Sequence, residues 1–203
     1  MTWPWLVNPN VIRAYVGQRH ARAAFRDLGP EADERNELTS RIPEVPPAGG
    51  TSPDFARQLW DIEQIKQLKA RYFRLMDTKD WDAWKELFTE DCVHHLPAEV
   101  DAPPQTNAEY LELVPRLLAN AFTTHHGHMP EITLQSPTEA TGVWAMFDYV
   151  LYPDRPTGIK GYGHYHETYR KCADGKWRIS SKRNQRLRVD EIPNPSWVQA
   201  PES

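Results

Sequence analysis

Two cysteines, Cys92 and Cys172, are all that this chain of 203 residues contains. That is too few for a disulfide scaffold, and free thiols belong to a reducing compartment, so a cytoplasmic protein is expected. No stretch of the sequence approaches about 18 consecutive apolar residues, and the opening "MTWPWLVNPNVIRAYVG" places no basic region ahead of an apolar one. No membrane span and no export signal is predicted. A basic run is missing too: 24 basic residues against 28 acidic ones leave a net charge of −4, which argues against nucleic acid as a partner. No internal repeat is visible. What the chain does hold is aromatic bulk, with eight Trp, eight Tyr and six Phe, enough for one domain with a substantial core.

Apolar spacing divides the chain. Val11, Tyr15, Val16, Ala21, Phe25 and Leu28 recur at helical intervals before Gly29-Pro30, which predicts a helix over 11–28. The stretch "SRIPEVPPAGGTSPD" (40–54) carries four prolines and a Gly pair and is read as a linker. Residues 1–53 thus form a helical extension with a Pro-rich linker, which either docks a partner or wraps its own domain or a neighbouring subunit. From Asp54, Leu59, Ile62, Ile65, Leu68, Tyr72 and Leu75 predict a helix with one buried face that ends near Asp77. A short helix over 78–88 follows, capped by Thr78 or Asp80. A third begins at Thr106, whose spacing to Glu109 is that of a capping box, and Pro115 is expected to kink or restart it. After residue 122 the period falls toward two in four segments, "HHGHMPEITLQ", "ATGVWAMFDYVLY", "KGYGHYHETYRKC" and "KWRISSKRNQRLRVD", separated by turn signals such as Asp174-Gly175. Helices followed by hairpin-linked strands predict an α+β domain over 54–192, with a curved antiparallel sheet covered by three helices, and a tail at 193–203.

The order "RYFRLMDTKDWDAWKELFTEDC", a His-containing strand, and "DGKWRISSKRNQRLRVD" resembles the SnoaL-like family of the nuclear transport factor 2-like superfamily. Scytalone dehydratase and bile-acid 7α-dehydratase are the members it resembles in detail. The resemblance implies a cone-shaped α+β barrel around a deep apolar pocket. It also implies a set of site residues: Tyr72 and Asp77 in the first helix segment, His125 and Asp148 on consecutive strands, and Arg183 in the last strand. Members of this kind are trimers that need no cofactor, and their substrates are hydrophobic cyclic molecules.

These residue types suit elimination. Removing a proton from an acidic carbon needs a base near neutrality, which imidazole supplies, so His125 is the expected base. A carboxylate on the second ring nitrogen would fix the tautomer and stabilise the imidazolium, the role expected of Asp77. Tyr72 could donate to a substrate oxygen or a leaving hydroxyl. Asp148 and Arg183 could serve as acid/base partner and fixed positive charge. Bland readings stand beside each: Asp77 as a helix cap, Tyr72 as core, and Arg183 as part of a solvated basic edge with Lys182, Arg186 and Arg188. Asp148 is informative only if buried.

Strand parity separates the histidines of "TTHHGHMPEI", since His125 faces one side and His126 and His128 the other. One catalytic and two structural histidines are therefore expected. A metal site drawing also on His94, His95, His164 and His166 is the alternative. The function expected is a cofactor-free lyase, a dehydratase of a steroid, terpenoid or polyketide-like ring. Isomerase or cyclase chemistry at the same site and non-catalytic small-molecule binding are the rivals.

Overall fold

The computed structural model of the protein describes residues 53–95 and 103–195. The helix predicted at 11–28, the Pro-rich stretch through residue 52 and the tail beyond 195 lie outside the described residues. The described residues from Asp54 onward form one unit by their contacts, and the elements below belong to it. They run α1 (Pro53–Asp77), α2 (Trp81–Lys85), β1 (Phe88–His95), β2 (Gln105–Thr106), α3 (Asn107–Leu118), β3 (Phe122–Leu134), β4 (Glu139–Leu151), β5 (Thr157–Lys171) and β6 (Trp177–Pro193). The architecture is α+β, one curved, unclosed sheet in the order β2-β1-β6-β5-β4-β3.

Helix α1 buries Asp61, Ile65, Leu68, Lys69, Tyr72, Phe73, Leu75 and Met76, a stripe at helical spacing. Its first turns lean outward more than the apolar pattern suggested, and Leu59 is exposed. Asp61 is buried in its place because it accepts hydrogen bonds from Trp177 Nε1 at 2.9 Å and Lys171 Nζ at 2.7 Å. Helix α2 is a single turn capped by the Asp80 side chain. It drives Trp84, fully buried, against the rings of Phe88, Tyr110 and Tyr72 at centroid distances of 4.9, 5.7 and 5.8 Å. The capping box is present at α3, where Thr106 and Glu109 exchange hydrogen bonds. The helix does not restart at Pro115: α3 runs on through it to Leu118.

Strands β3 to β6 pair in antiparallel order, as the turn signals predicted. Strand β1, not foreseen from the sequence, joins β6 in parallel. The inner face alternates strictly along β4, where Ala140, Gly142, Trp144, Met146, Asp148 and Val150 are buried. Across the central strands it carries an unusual polar layer. The ammonium of Lys69 from α1 is wholly buried against the carboxylate of Glu167 on β5. Tyr169 donates to the other Glu167 oxygen at 2.6 Å and accepts from Trp144 Nε1 at 2.8 Å. Both thiols are free, and burial pushes that of Cys92 up to about 12. Among the described residues no helix is long and apolar enough to cross a membrane.

Candidate active site

Helix α1 stops in a way that fixes its last residue. Asp80 N–H donates to Leu75 O at 2.9 Å and Lys79 N–H to Met76 O at 3.3 Å, and Lys79 itself sits in the left-handed region at φ 63°. This is a Schellman stop, a place where glycine is usual. A lysine there costs about 1 kcal/mol of backbone energy, and its side chain is put to use. Lys79 Nζ donates to Thr123 Oγ1 at 2.8 Å, and Thr123 Oγ1 donates to Asp77 Oδ1 at 2.9 Å.

Asp77 meets His125 twice. The ring Nδ1 lies 2.6 Å from Oδ1, and the His125 backbone N–H donates to Oδ2 at 2.8 Å. A carboxylate only accepts, so the neutral ring carries its proton on Nδ1 and leaves Nε2 as a lone-pair acceptor. Among the described residues Nε2 makes no hydrogen bond. Burial is the largest single influence on the Asp77 carboxyl and favours its neutral form. The bonds from the His125 ring and backbone and from Thr123 together outweigh it, so the group lies below its ordinary value of 3.8. An anion at a helix C-terminus also opposes the helix dipole, by about 0.3–1 kcal/mol. The three donors offset that cost, so Asp77 is more than a helix stop. The side chains are 9% and 19% exposed, so the dyad is sheltered from bulk solvent without being sealed from it.

Asp148 is the cross-strand partner of His125 and shares its face. It is buried and held by two parallel bonds from Arg186, Nη1 to Oδ1 at 2.7 Å and Nη2 to Oδ2 at 2.6 Å. The pair fits because β5 has no side chain at Gly161. A Cβ there would stand 1.7 Å from Arg186 Nη1 and 2.1 Å from Asp148 Oδ1. Gly161→Ala is therefore expected to force the pair apart and destabilise the fold by about 3 kcal/mol. A drop in the urea midpoint without loss of cooperativity checks this.

The remaining candidates are placed elsewhere. Tyr72 is buried, and its hydroxyl faces Tyr110 at 3.4 Å rather than the dyad. Burial, with Tyr110 and Tyr165 beside it, raises its phenol well above the ordinary range. Arg183 pairs across the sheet with His166 and, by alternation, lies on the face opposite Lys182 and Arg186. The guanidinium beside Asp148 is that of Arg186, not Arg183. Parity also sends His126 and His128 to the exposed side, where the His126 ring stacks on Phe147 at 5.7 Å. No group of three or more metal-ligating side chains converges among the described residues.

Sequence reasoning passed over Arg186, Thr123, Lys79, Tyr110 and Lys182. A usable signal existed for the first, since Gly161 and Gly163 open a gap in β5 opposite the basic strand. Surface depressions of about 420 and 600 Å³ are lined by residues such as Gln64, Arg71 and Trp177, or Asp91 and Arg170, and neither includes the dyad.

The fold and the dyad can be set against known proteins. A scytalone dehydratase candidate from Novosphingobium aromaticivorans superposes with a TM-score of 0.62 at 18% identity, covering 73% of this chain and 99% of that one. A type 2 hexachlorocyclohexane dehydrochlorinase, LinA, gives 0.60 at 14% identity over 72% of this chain and 97% of its own. Among curated sequences, the probable cyclase FGR4 of Gibberella zeae is 24% identical over 134 residues, 61% of this chain and 89% of that protein. The profile of the SnoaL-like domain matches residues 57–183. With more than half of its length inside that match, and with the cone-type α+β fold, the chain belongs to the SnoaL-like domain family of the nuclear transport factor 2-like superfamily.

Proposed function

We propose that this protein is a cofactor-independent lyase, a dehydratase in which His125 removes a proton from a hydrophobic cyclic substrate and Asp77 stabilises the imidazolium formed. The observation that carries the reading is the double engagement of His125 by Asp77, which orients the ring and leaves Nε2 free. The Asp148–Arg186 pair beside it supplies a fixed, charge-balanced wall against which a polar substrate group can orient. The dehydratase candidate and the dehydrochlorinase among the structural relatives are both named for eliminations, which favours a lyase over a binding protein. The cyclase among the sequence relatives keeps one second reading open: the same base could trigger ring closure.

The test is a panel of cyclic β-hydroxy ketones, followed by the absorbance of the conjugated enone that loss of water creates. Turnover is expected, and is expected to survive exhaustive chelation. Chelator-sensitive turnover restored by added metal would instead favour the histidine metal reading. Ring closure without loss of water would favour the cyclase.

The outer sheet face is the place for assembly. Val143, Phe147 and Tyr149 are only half-buried there, and Phe122 and Leu187 are exposed. Such a face favours self-association, and a homotrimer is the form proposed. Light scattering at micromolar concentration should give three times the chain mass; a monodisperse monomer contradicts it.

A further inference from the structure

The inner face of β6 carries a charge that nothing in the dyad explains. Lys182 is 6% exposed and makes no ion pair among the described residues; its ammonium donates to Tyr110 Oη at 2.9 Å. Its cross-strand neighbours are Glu167 on β5 and His94 on β1. Glu167 is already engaged by Lys69 and Tyr169. Two ammonium groups thus face one carboxylate, and one positive charge is left without a counter-ion. The other groups around it are neutral: burial, with the charge of Lys182 second, drives the His94 imidazole down to about 3, and the Cys92 thiol lies at about 12.

A buried cation without a carboxylate is costly, even with the rings of Tyr110, Tyr72 and Tyr165 at 5.0, 5.7 and 5.8 Å from its nitrogen. Two buried acceptors in the same strip also lack partners. His94 stacks on Tyr110 at 3.7 Å and bonds Asn107 through Nε2, which leaves Nδ1 without a partner. Asn184 Oδ1, two residues along β6 on the same face as Lys182, is likewise unsatisfied. Natural proteins rarely leave such groups unmatched, and a ligand or an ordered water usually completes them.

We infer that Lys182, with Tyr110, His94 and Asn184, forms an anchoring subsite for a ring-borne acidic oxygen, an enolate or phenolate, with neighbouring hydroxyls donating to the two acceptors. The inference rests on the interior being the substrate site, as proposed above. Tyr72, whose hydroxyl meets Tyr110, and Asp77 are five residues apart on α1, about 7.5 Å along the axis. The subsite therefore holds the end of the substrate remote from the carbon that His125 attacks, and it suits an extended molecule bearing an acidic hydroxyl.

The test uses 4-nitrophenol as probe, at a pH where the free probe is mostly un-ionised. Binding to the full-length protein should develop the yellow phenolate band. Lys182→Met should weaken binding by about 30-fold or more and abolish the band. Because the substitution removes an uncompensated buried charge, its melting temperature should equal or exceed that of the wild type. Tyr110→Phe should keep the band with weaker binding. His125→Ala should keep both band and affinity, so that failure of the base and failure of the anchor are separable. A probe that binds the wild type without ionising, or not at all, overturns the inference. So does a K182M protein that keeps the band, or one that melts lower, which would make Lys182 a structural strut.

Discussion

Replacing His125 by alanine is expected to lower turnover by about 10²–10⁴-fold, the contribution of a well-placed general base. The loss should fall on kcat with little change in KM, because the proton is shared between base and carbon only in the transition state. His126→Ala and His128→Ala should stay close to wild type, since both side chains point to the exposed face of β3. Steady-state kinetics of the three variants, on whichever cyclic substrate turns over, make the comparison. Equal losses at His125 and His126 would contradict the assignment of faces.

Asp77→Asn is expected to cost about 10²-fold or more in turnover. The carboxylate has two acceptor oxygens, one for the His125 ring and one for its backbone N–H, with Thr123 sharing the first. An amide has one acceptor and one donor edge. If its oxygen serves the backbone, its NH₂ faces Nδ1 and drives the ring to the tautomer with the proton on Nε2, where it blocks the base. The substitution also removes an acid-sensitive contribution to stability. The Asp77 carboxyl is depressed in the folded state, so the unfolded chain binds its proton more readily. Its stabilisation is fully present above the ordinary value of 3.8 and is lost as pH falls through the lower, folded value. Urea midpoints of wild type and D77N should therefore converge below about pH 4.

The dyad was legible through the family resemblance, which singled out Asp77 and His125; periodicity alone left Asp77 a helix cap and His125 one strand histidine among three. Asp77 ends a long apolar helical stripe, and His125 lies on a strand whose alternation separates it from His126 and His128. Asp148 was legible as an inward charge among Trp144, Met146 and Val150, which is where it is found. Its partner was not. Lys182, Arg183, Arg186 and Arg188 crowd one strand, and the register of β6 against β5 shifts between Tyr162 and Gly163. Alternation separates Arg183 from Arg186, but which of the two faces turns inward follows only from the pairing with β5, where Lys182 lies opposite the buried Glu167. Strand β1 was missed for a different reason. "FTEDCVHH" holds three charged or hydroxyl residues in a row, and what makes it a strand is its parallel neighbour β6, some ninety positions away. Local sequence patterns could foresee the α+β class and the end of α1, but neither that long-range pairing nor the buried Lys69–Glu167 and Lys182–Tyr110 contacts.

The central claim is that Asp77 holds the neutral His125 ring with its proton on Nδ1 and Nε2 bare. Nitrogen NMR of ring-labelled protein measures this without any substrate. The account predicts a protonated Nδ1 and an unprotonated Nε2 for His125 in the wild type, with the pattern reversed or averaged in D77N. A wild-type signal showing the proton on Nε2 would contradict it, because that ring could neither donate to Asp77 nor accept a proton from a substrate carbon.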